Sequence, residues 1–193
     1  MKIGVLALQG AFAEHEKVLE QLGAECIELR QARNLSEPYD ALVLPGGEST
    51  VQGKLLKELG MFDIMKSQIE NGMPVLATCA GAILLAETID GQMKGQPEQY
   101  FGTIPMCVKR NAYGRQLGSF HTEAPVAGIG TVPMTFIRAP YIASVEDGVE
   151  VLAVVEERIV GVKYKNQMAF SFHPELDPDM RIHKTFLSMI SNV

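Results

Sequence analysis

The sequence predicts an α/β fold with a mostly parallel sheet, helices on both faces of that sheet and an antiparallel extension. In the first half of the chain, short apolar runs alternate with helical patterns that end at glycine, which is typical of parallel βαβ units. In the second half, strand-like segments follow one another across short turns containing Gly, Pro or charged residues. A chain of 193 residues is long enough for one core. We therefore predict a single domain over residues 1–193.

The first half contains four predicted strands and three predicted helices. The strands are short apolar runs at residues 2–8, 26–30, 41–45 and 74–78. The helical patterns cover residues 12–22, 49–59 and 61–71. Ligands of an open parallel sheet bind beyond the carboxyl ends of its strands. Functional residues are therefore expected in the turns that follow these strands.

The second half contains seven strand-like segments and one last helix. The segments lie at residues 101–110, 118–126, 133–140, 141–146, 149–157, 158–165 and 168–173. The helix is predicted over about residues 179–191. No linker, repeat or low-complexity segment interrupts the pattern, which again favours one domain.

The charge and hydropathy of the chain exclude several classes of partner. A net charge of −6 and a pI near 5.3 argue against nucleic acid and anionic membranes. The apolar run at residues 3–8 is too short for the core of a signal peptide. No apolar stretch approaches the roughly 18 residues of a membrane helix. A cytoplasmic location is the expectation.

Apart from Cys79 and His173, the cysteines and histidines are predicted to have no catalytic role. Three widely spaced cysteines, with no paired His or Cys spacing, indicate reduced thiols and no metal site. Cys26 and Cys107 fall in strand-like runs, where burial is expected. His15 and His183 lie on helical patterns and are predicted to face solvent or an interface. His121, in a strand-like segment, is also predicted to be structural.

Cys79 is the exception because it lies at a turn from a strand to a helix. Ala77 and Gly81 on either side are small, as a sharp turn that exposes its central side chain requires. A further helix is predicted from Ala80 through the run AILLAE at residues 82–87. Its positive end is directed toward the sulfur, which favours a thiolate. This pattern predicts a nucleophile. A buried structural thiol is the alternative, and the local sequence alone favours it.

Two further motifs favour the nucleophile. PGGEST, at residues 45–50, follows a strand, and its two glycines leave backbone N–H groups free to bind an oxyanion. In SFHPEL, at residues 171–176, His173 precedes Glu175 by two residues, so a carboxylate can orient the imidazole. Separately, a helix cap and a surface turn explain these motifs. Together with Cys79, they indicate nucleophilic catalysis.

The same motifs carry a resemblance to the class I, or triad-type, glutamine amidotransferases, which have a flavodoxin-like fold. The matching segments are residues 4–15, 44–50, 78–86, 110–116, 136–140 and 172–176. HPE and the cysteine turn are shared across that class. LQGAFAEH, GGEST, RNAYGRQ and IRAP more narrowly resemble the glutaminase subunits of pyridoxal 5′-phosphate synthase. Ala77 departs from this pattern, in which the turn usually begins with glycine.

The resemblance implies a role for each matching residue. Cys79 is the nucleophile, His173 the general base and Glu175 the residue that orients it. Backbone N–H groups of Gly47 and Ala80 are the expected oxyanion hole. The glutamine-binding residues are expected to be Gly47, Glu48, Ser49, Arg110, Ile137 and Arg138.

The implied reaction hydrolyses L-glutamine to L-glutamate and ammonia through a γ-glutamyl thioester, and needs no metal or organic cofactor. The chain has no length left for a synthase domain, so the ammonia is expected to pass to a separate (β/α)₈-barrel synthase subunit. That subunit uses it to build pyridoxal 5′-phosphate. The loop around Gln9 and Gly10 is expected to couple docking of this partner to the oxyanion hole.

Three other functions stay open. One is a cysteine hydrolase or chaperone of the related flavodoxin-like superfamily, which typically lacks HPE and RNAYGRQ. Another is a glutaminase of a different amidotransferase complex. The third is a regulatory module that binds a partner without hydrolysing glutamine. Loss of the Cys, His or Glu would mark such a module, and this chain has all three.

Overall fold

The first half of the chain forms the strand–helix alternation that its sequence predicts. The computed structural model describes residues 1–91, 100–110 and 119–190. The elements of the first half are β1 (Lys2–Leu6), α1 (Phe12–Gln21), β2 (Glu25–Leu29), β3 (Ala41–Leu44), α2 (Ser49–Glu58), α3 (Phe62–Glu70), β4 (Val75–Thr78) and α4 (Ala80–Leu85). A 3₁₀-helix at Ala32–Ser36 links β2 to β3. The predicted bounds of these strands and helices are correct to within two residues.

The second half is mostly β-structure. Its strands are β5 (Ala86–Ile89), β6 (Ile104–Lys109), β7 (Ser119–Val126), β8 (Gly130–Ile137), β9 (Tyr141–Val145), β10 (Glu150–Val155), β11 (Arg158–Tyr164) and β12 (Gln167–Phe170). A 3₁₀-helix at Pro174–Leu176 precedes α5 (Arg181–Ile190). The predicted end of this last helix, at residue 191, lies outside the described residues, as do residues 111–116 of the RNAYGRQ motif.

The main sheet is mostly parallel in its first half and mixed in its second. Its order is β2-β1-β3-β4-β12-β11-β9-β6-β5, with β10 also paired to β11. The pairs from β2 to β12 are all parallel. The pairs that join β12, β11, β9 and β6 are antiparallel. The predicted parallel sheet with an antiparallel extension is confirmed, and β7 and β8 form a separate hairpin.

Two hydrophobic cores lie on opposite faces of this sheet, as the alternating side chains of a strand require. In β3, Leu42 and Leu44 join the core that includes α2, α3 and α4. Ala41 and Val43 join the other core, which includes α1, α5 and the β7–β8 hairpin. Helices therefore cover both faces, as predicted.

One strand differs from the sequence-based expectation. The run that follows Cys79 predicts a helix through AILLAE, but α4 ends at Leu85. Ala86–Ile89 then forms β5, which pairs in parallel with β6 at the sheet edge. The backbone turns because Ala86 adopts an extended conformation, with φ −68° and ψ 136°.

β12 occupies the position that matters most for the site. It pairs in parallel with β4, with Gln167 opposite Val75 and Phe170 opposite Thr78. The carboxyl ends of the two strands therefore meet, although 92 positions separate Phe170 from Thr78 in the sequence. This pairing brings the HPE segment beside Cys79.

Among the residues that the structure describes, no helix is both long and apolar enough to cross a membrane.

Candidate active site

Cys79 lies on a strained turn between β4 and α4. Its φ of 48° and ψ of −104° are rare for a residue with a side chain, and such strain concentrates at functional sites. The Cys79 N–H donates to Phe170 O of β12 at 2.8 Å, which holds the turn against the neighbouring strand. Gly81 allows α4 to pack closely, because a Cβ there would lie 2.0 Å from Leu44 O.

His173 and Glu175 follow β12 and reach the same end of the sheet. Backbone N–H of His173 donates to Thr135 O at 2.8 Å, and Pro174 begins the 3₁₀-helix that carries Glu175. The His173 Nδ1–H donates to Glu175 Oε1 at 2.7 Å. The opposite side of the ring is then free for Cys79, whose interaction with it raises the pKa of His173. The structure thus brings the three predicted catalytic residues together at one end of the sheet, in the series Cys79–His173–Glu175.

The charges of this series are set by burial and by its internal hydrogen bonds. Burial alone lowers the pKa of His173, but the hydrogen bonds with Cys79 and Glu175 outweigh it and raise that pKa to about 10. Burial alone raises the pKa of Glu175, but nearby His15 and the hydrogen bond from His173 bring it below the ordinary value. The geometry therefore favours an imidazolium beside a carboxylate.

A cavity of about 320 Å³ opens in front of Cys79 and His173. Its volume lies at the low end of the roughly 300–1,000 Å³ range of small-molecule sites. All of the predicted glutamine-binding residues line it: Gly47, Glu48, Ser49, Arg110, Ile137 and Arg138. Glu175 is buried behind His173 instead. Ala80 is buried at the first position of α4, next to Cys79.

The PGG loop passes directly over the catalytic residues. The Gly46 N–H donates to Thr78 Oγ1 at 3.1 Å, and Gly46 O accepts from the Ala11 N–H at 3.1 Å. A Cβ on Gly46 would lie 2.3 Å from His173 Cε1, so only glycine fits there. Within the described residues, the Gly47 and Ala80 N–H groups donate to no protein acceptor. They are therefore available to a ligand.

The loop around Gln9 is bonded to the PGGEST loop. Gln9 Oε1 accepts from the Glu48 N–H at 2.7 Å, and Gln52 Nε2 donates to Gln9 O at 3.0 Å. Gly10 has a φ of 103°, and a Cβ there would lie 1.7 Å from Gly46 O. Movement of this loop must therefore disturb the PGG loop. Gln52 is a contact that the sequence motifs did not predict.

Two arginines bring positive charge to the cavity. Burial lowers the pKa of Arg110, while the nearby Glu48 partly offsets this. Its guanidinium lies 5.2 Å from the centre of the Tyr100 ring. Within the described residues, Arg110 Nε is buried without a hydrogen-bond partner. Arg138 adopts a left-handed conformation, with a φ of 43°, at the end of β8. A bound carboxylate can satisfy such donors.

The prediction for His15 and His183 is wrong, because both side chains are completely buried. His15 Nδ1 lies 2.9 Å from His183 Nε2, and His15 Nε2 lies 3.0 Å from Thr78 Oγ1. His15 Nε2 is also 3.3 Å from Glu175 Oε2. The helical spacing indicated that His15 could be buried, because Leu19 lies four positions later on the same helix face and is fully buried.

The other residues that were predicted to be structural lie away from this site. His121 is exposed and contacts Asp177 Oδ1 at 3.3 Å. Cys26 and Cys107 are partly exposed, so the prediction of burial is wrong for both. No cluster of three His, Cys, Asp or Glu residues suited to a metal occurs in residues 1–91, 100–110 and 119–190.

Comparison with known proteins gives relatives along the whole chain. The model of the SNO glutamine amidotransferase family matches residues 5–192. Pyridoxal 5′-phosphate synthase subunit PdxT of Desulfitobacterium hafniense strain Y51 is 59% identical over 192 residues, which cover 100% of this chain and 94% of that protein. PdxT of Streptococcus pneumoniae serotype 2 strain D39 is 54% identical over 192 residues, covering 98% and 97%.

Solved structures show the same architecture. A crystal structure of a glutamine amidotransferase superposes with a TM-score of 0.91 and 43% identity, covering 98% of each chain. A glutamine amidotransferase from Thermotoga maritima superposes with a TM-score of 0.64 and covers 100% of this chain and 84% of its own. At 15% identity, that second likeness shows the fold alone. The family model, the full-length relatives and the shared fold agree that this chain belongs to the SNO glutamine amidotransferase family.

Proposed function

We propose that this chain is the glutaminase subunit of a pyridoxal 5′-phosphate synthase, which hydrolyses L-glutamine and supplies the ammonia for cofactor synthesis. The observation that carries the proposal is the series Cys79–His173–Glu175 at the wall of a cavity with the volume of a small-molecule site. Relatives at 54–59% identity are PdxT subunits of that synthase.

In the first half-reaction, His173 already holds the thiol proton as an imidazolium, and the Cys79 sulfur attacks the carboxamide carbon of glutamine. The carbonyl oxygen becomes an oxyanion, for which the N–H groups of Gly47 and Ala80 are the donors. When this intermediate collapses, the C–N bond breaks and His173 gives its proton to the leaving nitrogen. Ammonia departs and a γ-glutamyl thioester remains on Cys79.

In the second half-reaction, water attacks the thioester. His173 takes a proton from that water, and the C–S bond breaks as the tetrahedral intermediate collapses. Glutamate leaves and the proton returns to the sulfur, so the enzyme is regenerated. Glu175 holds the imidazole through its Nδ1–H in both halves, which directs the opposite ring nitrogen to Cys79.

The cavity offers complementary charge to the amino-acid end of glutamine. Arg110 and Arg138 bring positive charge for the α-carboxylate, and Glu48 brings negative charge for the α-ammonium. Ser49 and Ile137 complete the wall of the cavity. This arrangement supports free glutamine as the substrate, in preference to an amide within a peptide.

The ammonia needs a protected path, because ammonia released into water at neutral pH becomes ammonium, which is not a nucleophile. We therefore infer a separate (β/α)₈-barrel synthase subunit as the partner, in a cytoplasmic complex. The Gln9–Gly10 loop is the element through which docking acts on the oxyanion hole, since both residues contact the PGGEST loop.

The test is glutamate release from L-glutamine, measured with and without the synthase subunit of the same organism. We expect glutamate release that rises when the synthase subunit is added. Activity that does not respond to the partner would place the chain in another amidotransferase complex. Absence of activity under both conditions would favour the non-catalytic module.

The fit of the PGG loop gives a second prediction. Replacement of Gly46 by alanine is expected to lower kcat at least about a hundredfold, because a displacement of about 1 Å can cost that much. The added Cβ would clash with His173 Cε1. Steady-state glutamate release in the complex measures the effect.

Gly4→Ala is the matched control for this substitution. The atoms nearest to a Cβ on Gly4 belong to the side chains of Leu29 and Tyr39, which can move. Gly4 lies in β1, away from the cavity. We expect Gly4→Ala to keep its glutaminase activity. Equal activity of the two variants would show that the close contact of Gly46 with His173 has no catalytic importance.

A further inference from the structure

A buried polar cluster continues the catalytic series beyond Glu175. Oε1 of Glu175 accepts from His173, while Oε2 lies 3.3 Å from His15 Nε2. The other ring nitrogen of His15, Nδ1, lies 2.9 Å from His183 Nε2. His15 belongs to α1 and His183 to α5, so two helices of one face meet behind the carboxylate. Catalysis as described above uses neither histidine.

The ionised Glu175 carboxylate determines which ring nitrogens of His15 and His183 carry a proton. An ionised Glu175 only accepts, so His15 Nε2 must carry the proton. This N–H bonds with Thr78 Oγ1, and Oε2 lies 3.3 Å from Nε2 but has no hydrogen-bond partner within the described residues. Burial lowers the pKa of His15, so its ring is neutral and Nδ1 is an acceptor. His183 Nε2–H then donates to it. His183 Nδ1 then carries no proton, and within the described residues no group forms a hydrogen bond with it.

We propose that His15, supported by His183, is a positioning residue that holds the second oxygen of Glu175 and thereby the orientation of His173. This inference rests on the proposed glutaminase function. His15 does not reach the cavity, so it acts through Glu175 and not on glutamine. The imidazole packed 3.3 Å from Oε2 restricts rotation of the Glu175 side chain, which the single hydrogen bond to Oε1 alone would allow.

His15 also connects the carboxylate to the oxyanion loop. Thr78 Oγ1 lies 3.0 Å from His15 Nε2 and accepts from the Gly46 N–H at 3.1 Å. The same imidazole therefore supports the base and the loop that precedes Gly47. Its helix begins two residues after Gly10, in the segment that we propose to respond to the synthase subunit.

The ionisable groups around Glu175 determine what the loss of His15 should change. His173 faces the carboxylate from its own segment, His15 faces it from α1, and His183 from α5 lies behind His15. Glu14 also acts on His15, more weakly. Removing the His15 N–H takes away the polar group 3.3 Å from Oε2, whose electrostatic effect lowers the pKa of Glu175, so that pKa rises. The acidic limb of the pH profile of kcat/KM, where activity is lost as Glu175 becomes protonated, then moves to higher pH.

Two substitutions, each of which places an amide at the position of one ring nitrogen, test the proposal in the complex with the synthase subunit. In His15→Gln the amide nitrogen can occupy the position of Nε2, so an N–H group stays beside Glu175 Oε2. In His15→Asn the amide reaches only the position of Nδ1. We expect His15→Asn to lose about ten- to hundredfold in kcat, the range found for residues that orient the histidine ligands of a metal site through a second hydrogen bond. KM should stay close to that of the wild type, the acidic limb should move to higher pH, and His15→Gln should restore most of the activity.

Gln167→Leu is the control for a general loss of buried hydrogen bonds. Gln167 is buried in β12 and bonds to Thr103 Oγ1 at 2.6 Å, away from the cavity. This variant should lose stability while its acidic limb stays in place. Equal activity of His15→Asn and His15→Gln, or an acidic limb that does not move in His15→Asn, would overturn the proposal. An inactive wild-type complex would instead contradict the glutaminase function itself.

Discussion

Replacement of Cys79 by alanine is expected to abolish glutamate release, with a fall in kcat of at least about 10⁴-fold, because removing the nucleophile of a catalytic triad costs this much or more. The reaction as proposed has no route to the thioester without the sulfur. The substitution itself is small. Cys79 is 7% exposed, and alanine removes only the Sγ atom, so the fold should persist. The remaining oxyanion hole and cavity cannot replace covalent attack.

Cys26→Ala and Cys107→Ala are the controls for this loss. Both cysteines are partly exposed and lie outside the cavity, so both variants should keep wild-type turnover. Mass spectrometry of the wild type during turnover should show a glutamine-dependent adduct on Cys79. Full activity of Cys79→Ala would exclude the thioester mechanism, and an adduct on another cysteine would move the nucleophile there.

Much of the fold could be predicted from local patterns in the sequence. The first-half strands are short apolar runs that end in turn residues. β1, β3 and β4 are buried where the pattern places them, whereas β2 at the sheet edge is buried only at Leu29. The turn at Cys79 could be recognised because small residues surround a thiol between a strand and a helix. Such information is local, since backbone conformation and burial depend on residues a few positions apart.

Strand order could not be predicted in this way. Nothing in the QMAF segment shows that β12 pairs with β4, because any apolar strand can occupy the centre of a sheet. Yet this pairing is what brings His173 to Cys79. The start of β5 at Ala86 was missed for a related reason: a helix-forming run was overridden by pairing with β6.

The burial of His15 and His183 shows a different limit of prediction from sequence. Their helical spacing is compatible with burial, since His183 is followed at three and four positions by Phe186 and Leu187, which are buried. The prediction was nevertheless that both histidines face solvent or an interface. Burial of a polar ring requires partners, and those partners come from another helix and from β4. Only the tertiary structure places them within reach.

Replacement of Glu175 by glutamine is expected to lower kcat by about 10⁴-fold, the loss seen when the carboxylate of a Ser–His–Asp triad becomes an amide. Glutamine preserves the volume but removes the negative charge. Its amide can also present N–H to His173 Nδ1, which would force the ring into the tautomer that cannot serve Cys79. The carboxylate and Cys79 together hold the pKa of His173 at about 10 against the lowering effect of burial.

The sign of the pH effect follows from these contributions. Loss of the Glu175 charge and of its hydrogen bond both destabilise the imidazolium, so the pKa of His173 falls from about 10 toward its ordinary value of 6.5. Alkylation of Cys79 by iodoacetamide reports this change without requiring turnover. In the wild type the imidazolium should support rapid alkylation of Cys79 near neutral pH, and the variant should react more slowly at the same pH. An unchanged alkylation profile together with a 10⁴-fold loss of kcat would mean that Glu175 acts by orientation alone, because only the electrostatic contribution changes the proton affinity of the ring.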